Sequence, residues 1–242
     1  STYSTDYLNK SGVTGYRGLS VLYGARAVPG QVPIFNDSPD PANQSVTGYK
    51  NVAANLQGAS ISDLSGQSGS VVFSAGQVSI NGNPLPPLAM PAKGYVSAQD
   101  VAQWVNSISS QSSVVASAQN VVTIRADSLA LPATAASLVS INGVSISTPC
   151  SNVSQLAAAL NEQSRATHVV ALAGPAGELI LKNDDANAGA DITIDAVPSN
   201  RLNALSGAVG RYHGQIALAS SGEIDVTGSA AQGTADLAKL GL

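Results

Sequence analysis

Charge is scarce in this chain. Of its 242 residues only 11% are Asp, Glu, Lys or Arg, and the formal net charge at pH 7 is -4. The 11 Lys and Arg are scattered singly, so there is no basic stripe to neutralise a run of phosphates, and nucleic acid is not an expected partner. No apolar run approaches the roughly 20 residues that cross a bilayer. Ser1 onward shows neither the basic stretch nor the apolar stretch of a secretory leader. A membrane is therefore not an expected partner. The chain does not begin with Met and reads as a fragment.

Reactive side chains are almost as scarce. A single cysteine, Cys150, excludes a disulfide framework within one chain and reads as a small buried apolar residue. Two histidines, His168 and His213, make a short set of reactive groups for an enzyme of this size. His168 is read as opening a strand and His213 as lying in another. Neither has Cys, Asp or Glu at helical ligand spacing, which argues against zinc and against a catalytic base. No serine sits in a Gly-x-Ser-x-Gly elbow, and the Ser-rich run "SISSQSS" reads as an exposed helix end and turn.

Two acidic patterns remain to be weighed. Asp185, Asn187, Gly189 and Asp191 alternate as oxygen ligands do in a calcium loop, but no bidentate Glu closes the loop, so a solvated turn is the expectation. Asp184 and Asp185 are adjacent, which puts them on opposite sides of extended chain and not in a working acid/base pair. They are expected to be turn residues. No catalytic, cofactor-binding or metal residue is singled out, no cofactor is expected, and the protein is not expected to be an enzyme.

The chain is rich in Ser, Ala, Gly, Val, Asn and Thr, a composition that suits strands, turns and short helices in a secreted surface protein. Before residue 66 lie most of the tyrosines and a cluster of breaking prolines, Pro29, Pro33, Pro39 and Pro41. That part reads as short strands punctuated by Gly15, Gly18 and Gly24, then a loop from Asn36 to Gln44. After Gly66 the text becomes regular. "GSVVFSAGQVSING" gives extended runs at Ser70–Ser74 and Gln77–Ile80 joined by a tight Ala75-Gly76 turn.

One phrase then recurs: "SINGNPLPP" begins at Ser79 and "SINGVSISTP" at Ser140. Each is followed by a short helical pattern. In the first copy Ser97 and Asp100 form a capping-box pair, and Val101, Trp104, Val105 and Ile108 share one face. Trp104 is read as core. "SVVASAQNVVTIRA" follows, two Val-rich runs with the outline of a hairpin about Ala118-Gln119-Asn120. In the second copy Asn152 with Gln155 caps a helix whose face is Val153, Leu156 and Leu160, and Asn161 falls where Asn106 fell. "HVVALA", a Gly174-Pro175-Ala176-Gly177 turn, "ELILKN" and "DITIDA" complete it.

The expected fold is α+β and mainly β, with two small lobes built from repeated β-α-β-β units whose short helices pack on antiparallel sheets. Four segments are expected. Residues 1–66 are an irregular β/loop segment pairing with the C-terminal part; 67–133 and 134–198 are the two Ile-Asn-Gly units; 199–242 is a β-hairpin and connector. The Asn-Gly dipeptides serve the turns, since Gly tolerates positive φ.

The segment from "SINGVSISTPCSNVSQLAAALNEQ" to "ADITIDA" resembles the Ile-Asn motif repeat of bacterial flagellins and flagellar hook-associated proteins. The ending "YHGQIALASSGEIDVTGSAAQGTADLAKLGL" resembles the hairpin and Ala-x-Leu-Gly-Leu ending of flagellin outer domains. The likeness covers about residues 70 to 242. It implies a structural protein, the surface-exposed outer domains of a flagellar filament subunit, extracellular and exported without a cleaved signal peptide. Flagellins polymerise through terminal helices with sustained heptads, which neither end of this sequence carries. The resemblance thus implies contacts with other flagellar subunits through helices missing here, host or antibody contacts on outer loops, and a monomeric fragment. It also allows O-linked sugars on surface Ser and Thr. The acceptor patterns Asn43-Gln44-Ser45 and Asn152-Val153-Ser154 carry no information in a bacterial protein. A hook junction or cap protein, an adhesin or glycan-binding module and an enzyme are the alternatives.

Overall fold

The computed structural model describes residues 31–35, 46–51, 55–131, 137–147, 149–198 and 202–242. The strands expected around Gly15, Gly18 and Gly24, the Asn36–Gln44 loop and Asn43 lie outside the described residues. The fold is α+β and mainly β, and the described residues form small, largely antiparallel sheets and five short helices.

The first lobe opens with β1 (Gln31–Phe35), β2 (Val46–Asn51) and β3 (Asn55–Ser60). Six short strands follow: β4 (Leu64–Ser65), β5 (Val71–Phe73), β6 (Val78–Ile80), β7 (Asn83–Pro84), β8 (Leu88–Ala89) and β9 (Tyr95–Val96). The Ala75-Gly76 turn forms, with Gln77 N donating to Ser74 O at 3.1 Å. Its flanking strands do not pair with each other, however: β5 pairs with β8 and β6 with β7. Helix α1 (Ala98–Asn106) starts at Ser97 with the capping box in place, since Ser97 N donates to Asp100 Oδ2 at 2.7 Å and Asp100 N to Ser97 Oγ at 3.4 Å. A short α2 (Ser109–Ser112) and β10 (Val114–Gln119) follow. The serine-rich run is therefore partly helical, and Ser112 is buried.

The chain then crosses to a second lobe. It contains β11 (Val121–Ile124), β12 (Ser137–Ile141), β13 (Val144–Ser147), α3 (Val153–Asn161), α4 (Ser164–Thr167), β14 (Val169–Ala173), β15 (Leu179–Asn183), β16 (Ile192–Asp195), β17 (Leu202–Asn203) and β18 (Gly210–Tyr212). It returns to the first lobe as β19 (Gln215–Ser220), β20 (Ile224–Gly228) and α5 (Gly233–Lys239).

Two expected hairpins are corrected by this path. β10 pairs with β19 and β11 with β15, so the Val-rich runs around Asn120 belong to different lobes. None of residues 118–120 has the positive φ that a tight reversal needs. Asn120 instead bridges outward, its Nδ2 donating to Ala190 O at 2.9 Å and Tyr212 O at 2.7 Å. In the same way β19 joins β10 and β3, while β20 joins β2 and β6, so the C-terminal strands do not form a hairpin ladder. Alternating apolar residues specify a half-buried strand but not which neighbour it pairs with.

The partition of the chain shifts accordingly. Val122 and Ile124, which the expected boundary at 133 assigns to the first unit, lie in the second core. Ile216, Leu218, Ile224, Val226, Leu237 and Leu240 lie in the first, together with Leu56 and Ile61. β2 pairs with β20 and β3 with β19, which ties the described part of 1–66 to the C-terminal strands.

The two lobes share one plan. The sheet β11-β15-β14 matches β3-β19-β10, and the pairing of β12 with β16 matches that of β6 with β20. Registers agree as well: Leu181 faces Val122 as Leu218 faces Leu56, and Ile141 faces Ile194 as Ile80 faces Val226. In the second lobe the turn at Gly174–Gly177 joins the two paired strands. The whole second lobe occupies the corresponding place in the first, between Gln119 and Gln215.

Each lobe buries its own apolar cluster. Val101, Trp104, Val105 and Ile108 are buried in the first, and Leu156 and Leu160 in the second, as the helical faces require. Trp104 stacks on Phe73 with ring centroids 5.3 Å apart, and its Nε1 donates to Pro86 O at 2.8 Å. Cys150 is buried in the second core.

Candidate functional site

The repeated asparagines are fixed to backbone. Asn81 and Asn142 take left-handed φ of 49° and 51° at the start of their turns, and Gly82 and Gly143 follow at 74° and 78°. Two successive positive φ values make a type I′ reversal, the reason for Asn-Gly. Asn81 Nδ2 donates to Ser112 O at 2.9 Å and its Oδ1 accepts from Asp225 N at 2.8 Å. Asn142 does the same, donating to Thr167 O at 2.8 Å and accepting from Thr193 N at 2.8 Å. Asn106 and Asn161 each clamp the edge strand through a paired bond, to Ala116 and Ala171. These four side chains lock helix and turn to sheet.

A separate polar region lies where the second lobe meets the first. A cleft of about 410 Å³ runs along the ends of β15, β16 and β18, with Tyr95, His168, Asn183, Asp191, Thr193 and Arg211 on its walls. Asp191 is 5% exposed, and its Oδ2 lies 3.0 Å from His213 Nδ1. Burial holds the Asp191 carboxyl above the ordinary carboxylate range; His213, Arg211 and Lys93 pull it down without prevailing. Asn183 is 7% exposed and is held on β15 opposite Val169. Both side-chain atoms of Asn183, and Oδ1 of Asp191, are buried without a hydrogen-bond partner. The Arg211 guanidinium lies 4.3 Å from the centre of the Tyr95 ring, and Lys93 Nζ lies 5.0 Å from it.

These positions revise several readings. Asp185, Asn187, Gly189 and Asp191 do not converge on one cation. Asn187 Nδ2 donates to Asp184 Oδ1 at 2.7 Å, and Asp191 is turned to His213. Asp191 is a buried partner and not a solvated turn residue. Asp184 caps the short 3-10 turn Asp185–Asn187, while its Oδ2 lies 3.0 Å from His168 Nδ1. The bond from Asn187, with burial opposing and His168 assisting, leaves the Asp184 carboxyl below its ordinary range. His168 is the left-handed residue just before β14, with φ 57°, and His213 follows β18. Asn152 uses its side chain to cap α3, accepting from Gln155 N at 3.0 Å.

Among the described residues no group of three or more His, Cys, Asp and Glu gathers for a metal ion, and no helix is long and apolar enough to cross a membrane. Both imidazoles engage a carboxylate through Nδ1, and no hydroxyl among the described residues hydrogen-bonds either ring. The Asp191–His213 pair and the unpartnered Asn183 escaped sequence reading because their partners are set by tertiary path. Only "HVVALA" against "ELILKN", which places Asn183 at a strand end, hinted at them. Neither protein-family models nor curated proteins give a match to this chain.

Proposed function

We propose that the chain is a structural protein, the surface-exposed outer part of a bacterial flagellar filament subunit whose polymerising helices are no part of these 242 residues. The observation that carries this reading is the duplicated Ile-Asn-Gly unit. In both copies the residues most characteristic of the motif, Asn81 and Asn142, Asn106 and Asn161, bind backbone. Repeated polar residues that serve the scaffold suit a projecting domain whose loops vary while its frame stays fixed. On this reading the protein is extracellular, and its partners are other flagellar subunits.

A junction or cap protein of the same kind is the nearest alternative, and an extracellular adhesin or glycan-binding module is the second, supported by the polar cleft at the lobe boundary. Immunogold labelling of intact source cells with antibody raised against this chain separates them. A filament subunit gives label along the whole filament, a cap or junction gives label at the tip or base alone, and filaments without any label would defeat the flagellar reading.

A further inference from the structure

We propose that the two lobes move as one rigid body, locked by a seam in which the segment 184–191 of the second lobe seats on the start of α1 in the first. The chain crosses between the lobes at Asn120 and again at His213-Gly214, and units joined only by such crossings swing relative to each other. The seam removes that freedom through bonds and through close packing. The first turn of a helix leaves backbone donors without a partner inside the helix. In α1 one of these, Gln99 N, donates across the boundary to Gly189 O at 3.2 Å, and the Gln99 side chain adds a second bond, Nε2 donating to Ala186 O at 3.0 Å. At the first crossing Asn120 Nδ2 donates to Ala190 O at 2.9 Å and to Tyr212 O at 2.7 Å. At the second, His213 Nδ1 lies 3.0 Å from Asp191 Oδ2. The Arg211 guanidinium of β18 sits 4.3 Å from the centre of the Tyr95 ring of β9, a further contact from lobe to lobe.

Two glycines show how tightly the seam is drawn. A Cβ on Gly189 would overlap Ala118 Cβ and stand 3.1 Å from Gln99 N. One on Gly214 would stand 2.7 Å from Gln119 O, 2.8 Å from Gly189 O and 3.0 Å from Ala98 Cβ. Carbon atoms in contact sit about 3.5–4.0 Å apart, so backbone meets backbone here with no room for a side chain. Swinging the second lobe away would break both Gln99 bonds and the Asn120 bond to Ala190 together. Surfaces packed this closely have one seated arrangement and do not slide through a graded series.

The seam is a property of the chain itself and holds whether or not the filament reading does. The test is a set of residual dipolar couplings, measured on the backbone amides of the whole chain in a weakly aligning medium. In the parent, couplings from both lobes are expected to fit a single alignment tensor, with the lobes oriented as in the structure. Gly189→Ala drives a methyl group into Ala118 and should destroy that common fit. The lobes then give tensors of different size or direction, while the amide shifts of Leu181 and Leu218, one in each core, stay at their parent values. Gln99→Ala combined with Asn120→Ala removes three hydrogen bonds of the seam and leaves the left-handed backbone of Gly189 untouched. It should cause the same loss, and it carries the test if Gly189→Ala does not fold. The proposal is overturned if the parent lobes require two tensors, or if a folded variant keeps the parent's single tensor.

Discussion

The two lobes share a frame but not a filling or a continuity. The second runs through consecutive residues from Val121 to Tyr212, while the first is assembled from strands before and after it. The first is anchored by Phe73, Trp104 and Met90, and the second has an aliphatic core of Ile, Leu and Val with Cys150. What both keep are the asparagine clamps, the two-part helix and the strand order. Backbone-directed hydrogen bonds define the plan here, and the core accepts whatever apolar volume fits between helix and sheet.

The largest effect comes from removing the insert altogether. Asn120 and Gly214 flank the second lobe, and Gln119 already pairs with Gln215. Deleting residues 121–213 joins Asn120 to Gly214 and so places an Asn-Gly two-residue turn between two strands already in register, the sequence that favours a type I′ hairpin. The shortened chain is expected to fold with the first core intact. Amide exchange at Ile216 and Leu218 reads the result; loss of protection there would show that the first lobe depends on the second. A lesser disruption tests the converse. Leu160 is 2% exposed, and Leu160→Asp puts an unpaired carboxylate into the second core at a cost above about 4 kcal/mol. Protection should vanish at Leu181 and survive at Leu218, whereas an unchanged melting curve would mean the α3 face is not core.

How much of this was legible follows from the range of each signal. The capping box at Ser97, the faces of Trp104 and Leu160 and the Asn-Gly turns are local, written within a few residues, and they were readable. The partner of β10 was not, because a Val-rich strand fits any edge of matching alternation and the true one begins at Gln215. The cleft was the least legible part. Asp191 and His213 meet only because β16 and β18 are paired, and Asn183 is buried only because β15 ends beside them.

The asparagine clamps allow the lobes to be compared at matched positions. Asn81→Ala loses three side-chain hydrogen bonds, the weakest at 3.2 Å, and Asn142→Ala loses two, and each imposes left-handed φ on a residue that disfavours it, a cost of about 2–3 kcal/mol apiece. Glycine at the same positions removes only the bonds and should cost less. Equal losses in urea unfolding monitored at each lobe would support one shared plan. A loss at Asn81 alone would mean that the second turn is held by something other than its side chain.

The smallest effect is a pH dependence that belongs to the first lobe. Burial opposes ionisation of Asp100, but the Lys93 ammonium at 2.6 Å and the bonds from Ser97 outweigh it, so its carboxyl lies below the ordinary value of 3.8. The unfolded chain then binds the proton more readily than the folded one, and the stabilisation is fully present above pH 3.8 and fades as pH falls through the lower folded value. Asp191 has the opposite sign: with its folded value raised, it favours the folded state most at low pH, and that contribution declines as pH rises from 3.8 through the folded value. Asp100→Asn should therefore lower stability near neutral pH by about 1 kcal/mol, the size of a capping interaction, and flatten the acid limb of the first lobe. Asp191→Asn should leave that limb intact. Melting temperatures of both variants between acid and neutral pH decide the matter: if Asp100→Asn keeps the parent's acid slope, the capping carboxylate is not what the first lobe loses in acid.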